Sequence, residues 1–168
     1  MATSNVNQYV DKTPEQITQS VKIETSPYDK SISYQGPILS ERYASYLLRA
    51  AKMKESGNIL FFQVYVSAQY GNNLRPANSG KSWIFYNSVA TDGGENYAIT
   101  KIASDVDCSR GNCFFTEDFA FNVPEEILIS RLNSGLSFRV SNVNGTGSMV
   151  LYIPAVYIKG FLAAVKSS

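Results

Sequence analysis

Ile59-Leu60-Phe61-Phe62-Gln63-Val64-Tyr65-Val66-Ser67-Ala68-Gln69-Tyr70 carries a strong strand signal, and the rest of the architecture is read outward from it. Leu60, Phe62, Val64, Val66, Ala68 and Tyr70 fall on one side of a period-two alternation, and Gln63, Ser67 and Gln69 fall on the other. That is the pattern of a strand with one buried face. Just upstream, Glu55-Ser56-Gly57-Asn58 is a tight turn, which makes Arg42–Lys54 the natural hairpin partner. Tyr43, Tyr46, Leu47, Ala50 and Ala51 would also fit one face of a helix. The hairpin is the more economical reading, and a strand is expected over 42–54.

Downstream, the two cysteines, Cys108 and Cys113, flank a four-residue polar loop, Ser109-Arg110-Gly111-Asn112. Lys101–Asp107 and Phe114–Val123 on either side read as strands, so the pair is expected to close a β-hairpin tip as a disulfide. Ser82–Val89 reads as a strand, Thr91-Asp92-Gly93-Gly94-Glu95 as a hairpin turn, and Tyr97–Asp107 as the strand that follows. Pro124-Glu125-Glu126 opens a helix to about Leu132, with two carboxylates at the positive end of its dipole. Leu136–Val140 and Met149–Ile153 are strands. Pro154–Val165 is a terminal helix with Ile158, Phe161, Leu162 and Val165 on one stripe.

Toward the N-terminus, Val21–Thr25 and Lys30–Gln35 are short strands, and Thr13-Pro14-Glu15-Gln16 has the form of a capped helix start. Residues 1–20 are otherwise polar and are expected to be a flexible segment preceding a single β-rich domain over 21–168. The fold class is mainly β (α+β): an antiparallel sheet or sandwich with one or two short helices packed on it. The 11 Tyr and 9 Phe against one Trp agree with strands, on whose pleated surface aromatic side chains pack well.

Composition excludes several functions. A net charge of +1 gives no electrostatic reason for a nucleic-acid partner. No apolar run approaches the ~20 residues of a membrane span. With no histidine, the usual base for serine or cysteine nucleophiles is absent. Gly80-Lys81-Ser82 imitates a phosphate-binding loop, but the position five residues earlier is Arg75 rather than glycine, and a strand follows in place of a helix. Asn144-Gly145-Thr146 fits the glycosylation pattern, which matters only in a eukaryotic source.

Three constellations remain. Asp105, Asp107, Glu117, Asp118, Glu125 and Glu126 gather around the expected hairpin, where they could attract a hard cation or form an acid–base pair. A solvated strand edge that discourages aggregation explains the same residues and is the favoured reading, and no catalytic residue, metal ligand or cofactor is assigned. The cysteines are spaced too widely for a thioredoxin-type redox motif. Tyr70, Trp83 and Tyr97 are the aromatic residues placed to contact a partner, with core packing as the alternative for each.

The run Gln63-Val64-Tyr65-Val66-Ser67, then Trp83-Ile84-Phe85-Tyr86-Asn87-Ser88, Gly93-Gly94, the Cys108 and Cys113 pair followed by Glu117, and the ending Ile153-Pro154-Ala155-Val156-Tyr157-Ile158-Lys159-Gly160-Phe161-Leu162 resemble a group of uncharacterised proteobacterial envelope proteins, often labelled candidate lipoproteins. The resemblance implies export and an envelope location, periplasmic or associated with the outer membrane, and implies no activity. It brings no site residues with it. The chain shows neither a signal peptide nor a lipoprotein cysteine near Met1, so a lipid anchor is expected only in a full-length precursor, and the cytoplasm is the alternative location. The disulfide expectation favours export, because small disulfides persist in oxidising compartments. The expected function is a non-catalytic binding or interaction module whose partner is another envelope protein. The alternatives are a histidine-free carboxylate-based or metal-assisted hydrolase and a small-ligand carrier.

Overall fold

The structure is a computed structural model that describes residues 9–168. Along the chain the elements are α1 (Pro14–Ser20), β1 (Lys22–Glu24), β2 (Ser31–Gln35), β3 (Leu39–Glu41), β4 (Ala44–Met53), β5 (Ile59–Gly71), β6 (Ser88–Thr91), β7 (Asn96–Ala98), β8 (Thr100–Ser109), β9 (Asn112–Asn122), α2 (Glu125–Ser130), β10 (Leu136–Ser141), β11 (Met149–Ile153) and α3 (Ala155–Ser167). One seven-stranded sheet runs β1-β2-β4-β5-β9-β8, with β3 also on β4, and a four-stranded sheet runs β11-β10-β6-β7. All pairings are antiparallel.

β5 is central, paired to β4 on one side and β9 on the other. Phe62, Val64, Val66, Ala68 and Tyr70 are buried as the alternation requires, but Leu60 is 52% exposed. The reason is a β-bulge: Ala51 pairs with Phe61 and Lys52 with Ile59, so Leu60 has no opposite number and leaves the buried row. Residues 44–53 are the expected strand. Their helical alternative loses because a 13-residue strand beside them offers a full ladder of hydrogen bonds.

The buried face of the large sheet is covered jointly by α3 and the small sheet. The Phe161 ring meets Phe62 edge-on at 6.5 Å, and Phe138 of β10 meets both Tyr46 and Phe121. Three helices pack on the sheets, where one or two were expected. The additional helix is α1, whose capping box forms as the sequence indicates, with Thr13 and Gln16 each bonding the other's backbone N–H. Ile17 is buried against α3, and the Thr18 hydroxyl donates to the Gly160 carbonyl. The packed body therefore begins before residue 21. Residues 1–8 of the expected flexible segment lie outside the described residues.

Two strand expectations are corrected. Ser82–Val89 is irregular until Ser88, and Tyr97–Asp107 divides at Ile99 into β7 in the small sheet and β8 in the large one. The hairpin tip is tighter than the sequence indicates. Ser109 pairs with Asn112, and Arg110 (φ 51°) and Gly111 (φ 80°) alone make the turn. Both are left-handed, as a two-residue turn that matches the twist of its strands requires. The Cys108 and Cys113 sulfurs lie 2.00 Å apart, at bonding distance. Among the described residues no helix is long and apolar enough to cross a membrane.

Candidate functional site

Segment 82–87 has the aromatic composition of a strand yet finds its hydrogen bonds elsewhere. The Ile84 N–H donates to the Tyr70 hydroxyl (2.9 Å), the Phe85 N–H to Glu117 Oε2 (3.3 Å) and the Tyr86 N–H to Glu117 Oε1 (3.2 Å). Glu117 also accepts from the Tyr70 hydroxyl. On the carbonyl side, Asn142 Nδ2 donates to Ile84 O (3.0 Å) and Phe85 O (3.1 Å). Side chains thus take the place of a neighbouring strand, which is why no ladder forms here. Arg75 ties down the approach to the segment, bonding Ser79 and the Ser82 carbonyl while its guanidinium lies over the Tyr70 ring.

Glu117 is 6% exposed, and its carboxylate is occupied by the three donors. Burial, followed by the hydrogen bond to Glu117, holds the Tyr70 pKa well above the ordinary phenol value. The knot is therefore structural, and its product is the conformation of Phe85. That residue has φ 58°, a left-handed backbone that a bulky side chain adopts at a cost of about 1–3 kcal/mol. The residue is nevertheless 51% exposed. Core packing cannot account for strain spent on a ring that faces water.

Phe85 stacks on Trp83 at 6.0 Å with the rings 24° from parallel, and Trp83 in turn meets Phe115 edge-on at 4.9 Å. The Lys101 ammonium lies 5.3 Å from the centre of the Phe85 ring. Among the described residues it has no carboxylate within ion-pair distance. Beside this platform is a cleft of about 420 Å³, walled by Trp83, Phe85 and Tyr86, by Lys101–Ser104 of β8, and by Glu117–Phe119 of β9. Its size suits a side chain or a small ligand.

Of the three aromatic residues singled out by sequence, Trp83 lines this cleft. Tyr70 is 1% exposed on β5 and serves the Glu117 knot, so it contacts no partner from the surface. Tyr97 stacks on Phe121 and borders a separate apolar groove of about 380 Å³ with Leu60, Phe61 and Val123. The structure does not bring Tyr97 and Trp83 together. Phe85 and Lys101 were missed, because a left-handed backbone and a long-range cation–ring contact leave no local signal.

The acidic cluster also comes apart. Register places Ser104 opposite Glu117, Ala103 opposite Asp118, Asp105 opposite Thr116 and Asp107 opposite Phe114, so the acids of the two strands do not face each other. Glu117 and Asp118 are successive strand residues and point to opposite faces. Asp118 lies beside Tyr65 on the outer face, where burial and then this carboxylate raise the Tyr65 pKa. Glu125 is engaged with Lys166 at 2.6 Å. Among the described residues no group of three or more acids or cysteines is placed to hold a metal ion.

No protein-family model, curated protein or solved structure matches the chain.

Proposed function

We propose that this chain is a non-catalytic, exported binding module that meets its partner at the Trp83–Phe85 platform and the adjoining cleft. The observation that carries the reading is Phe85: a strained backbone, held by side chains from β5, β9 and the segment after β10, presents a half-exposed aromatic ring to solvent. Strain of this kind persists where the surrounding structure over-determines it, and it collects at ligand-binding sites. The chemistry against catalysis is equally local. Of the two acids on the cleft wall, Glu117 already accepts three hydrogen bonds and has no role left as a base, and Asp118 turns to the outer face beside Tyr65. Export is supported by the cysteine pair at bonding distance on a hairpin whose residues are largely exposed, a pair that a reducing cytosol would open.

The test is to titrate fractionated envelope extract from the source organism onto isotope-labelled protein and follow the amide resonances. Shifts confined to residues 82–87 and 101–104, lost in Phe85→Gly, are expected. Shifts elsewhere, or binding indifferent to Phe85→Gly, would overturn the site. Conversion of an extract component that Glu117→Gln abolishes would overturn the non-catalytic reading.

A further inference from the structure

Resting on the reading of this cleft as a binding site, we infer that the partner presents an extended segment, alternating apolar with basic side chains, which adds to β8 as a new strand. β8 ends the seven-stranded sheet, and all ten of its residues are exposed. Its free backbone groups can be assigned. The two-residue turn makes Ser109–Asn112 a hydrogen-bonded pair, and antiparallel pairs alternate from there. Asp107, Asp105 and Ala103 therefore bond inward to β9, while the N–H and C=O groups of Ser104, Val106 and Cys108 point to the open edge. The cleft is walled by the consecutive residues Lys101–Ser104, so it opens along this same strand.

The side chains of β8 specify the complement. Ser104 and Val106, opposite Glu117 and Phe115, lie on the cleft side with Ile102, which the bulge between Lys101 and Ala103 leaves unpaired. Ile102 is 46% and Val106 43% exposed, continuing the apolar surface of Phe85. Asp105 and Asp107 lie on the other side, and among the described residues neither forms an ion pair. An added strand would meet both aspartates at the closely spaced, non-hydrogen-bonded positions, where cross-strand charge matters most. Basic residues are favoured there, and apolar residues are favoured on the alternate positions that face Val106, Ile102 and the Phe85 ring. A second copy of β8 is disfavoured, because it would bring its own aspartates onto the same face. The acids and the bulge also guard the edge against indiscriminate pairing. Guarding alone, however, needs no strained aromatic platform beside it.

The experiment uses a blocked octapeptide alternating Lys and Val, with a Glu/Val peptide as control. Trp83, the only tryptophan, reports the cleft by its emission, and amide hydrogen exchange reports the edge. The expected result is a change in Trp83 emission with slowed exchange at Ser104, Val106 and Cys108 for the Lys/Val peptide alone. The exposed double variant Asp105→Lys/Asp107→Lys should weaken that peptide by roughly tenfold or more and bind the Glu/Val peptide instead. A Trp83 response without slowed exchange at those amides would overturn strand addition and leave the cleft as a site for a side chain or small molecule. Equal binding of both peptides would overturn the charge basis. Slowed exchange that depends on protein concentration without peptide would identify a second copy as the occupant and overturn the inference. No response from either probe would overturn it too, while the extract titration would still judge the cleft itself.

Discussion

Glu117 and Phe85 define each other. A carboxylate buried at 6% exposure is tolerated because three donors surround it, and two of those donors are the amides that set Phe85 and Tyr86. Glu117→Ala would leave the Tyr70 hydroxyl and both amides without this acceptor, at an expected loss of about 3 kcal/mol or more in urea denaturation. Segment 82–87 should then loosen, with Trp83 emission moving to longer wavelength in the folded baseline. Unchanged emission would mean that the segment holds its shape without the carboxylate. Phe85→Gly tests the other half of the pair. Glycine adopts φ 58° without steric penalty, so relief of strain is expected to offset the lost ring contacts and leave thermal stability within about 1 kcal/mol of the parent. A large loss of stability would instead make the ring a packing element, in conflict with its exposure.

At the scale of elements, the docking of α1 on α3 rests on a glycine. A Cβ on Gly160 would stand 2.5 Å from both the Ile17 Cβ and the Pro14 carbonyl oxygen, neither of which is the end of a flexible chain. Gly160→Ala should therefore push α1 off α3 and destabilise the protein by roughly 1–3 kcal/mol. Limited proteolysis would detect this as new cleavage before Val21, and an unchanged digest would show that the helices have room to shift. The periodicities of β5 and α3 were legible because each is a local property: burial on one face of a strand or helix imposes a period on neighbouring residues. The capped start of α1 was legible for the same reason. What was not legible was its packing, since a short polar helix reveals nothing of a close approach more than a hundred residues away in sequence.

For the whole molecule, the aromatic composition dictates behaviour at high pH. Tyr46, Tyr70, Tyr86 and Tyr157 are at most 2% exposed, and burial raises the pKa of each above the ordinary tyrosine value. In the unfolded chain these phenols ionise near pH 10, whereas in the fold they keep their protons. Their stabilising effect is complete below about pH 10 and is lost as pH rises toward the folded-state values, by on the order of 5 kcal/mol per pH unit when all four titrate only in the unfolded state. Chemical denaturation at pH 8, 10 and 11 should show a flat region followed by a steep fall. A flat profile through pH 11 would contradict the burial of these hydroxyls. Compartment is tested separately by counting thiols on denatured protein from the native host. Two thiols that appear only after reduction are expected, and two free thiols would place the protein in a reducing environment. The six-residue loop closed by Cys108 and Cys113 contributes about 2 kcal/mol on the chain-entropy model.

The antiparallel β architecture, the central strand, the cysteine-closed hairpin and the terminal helix follow from the residues alone, because periodicity and turn chemistry act between near neighbours. So does the chemistry that is absent, since a chain without histidine has no imidazole base. The conformation of Trp83-Ile84-Phe85-Tyr86, by contrast, depends on long-range contacts. Locally those residues prefer a strand, but hydrogen bonds donated to Glu117, 31 residues from Tyr86, and received from Asn142, 58 residues from Ile84, outweigh that preference and set Phe85 toward solvent. The separation of the acids has the same origin. Strand register fixes which side chains face one another, and register follows from a two-residue turn and a bulge, where a shift of a single residue moves every side chain to the opposite face.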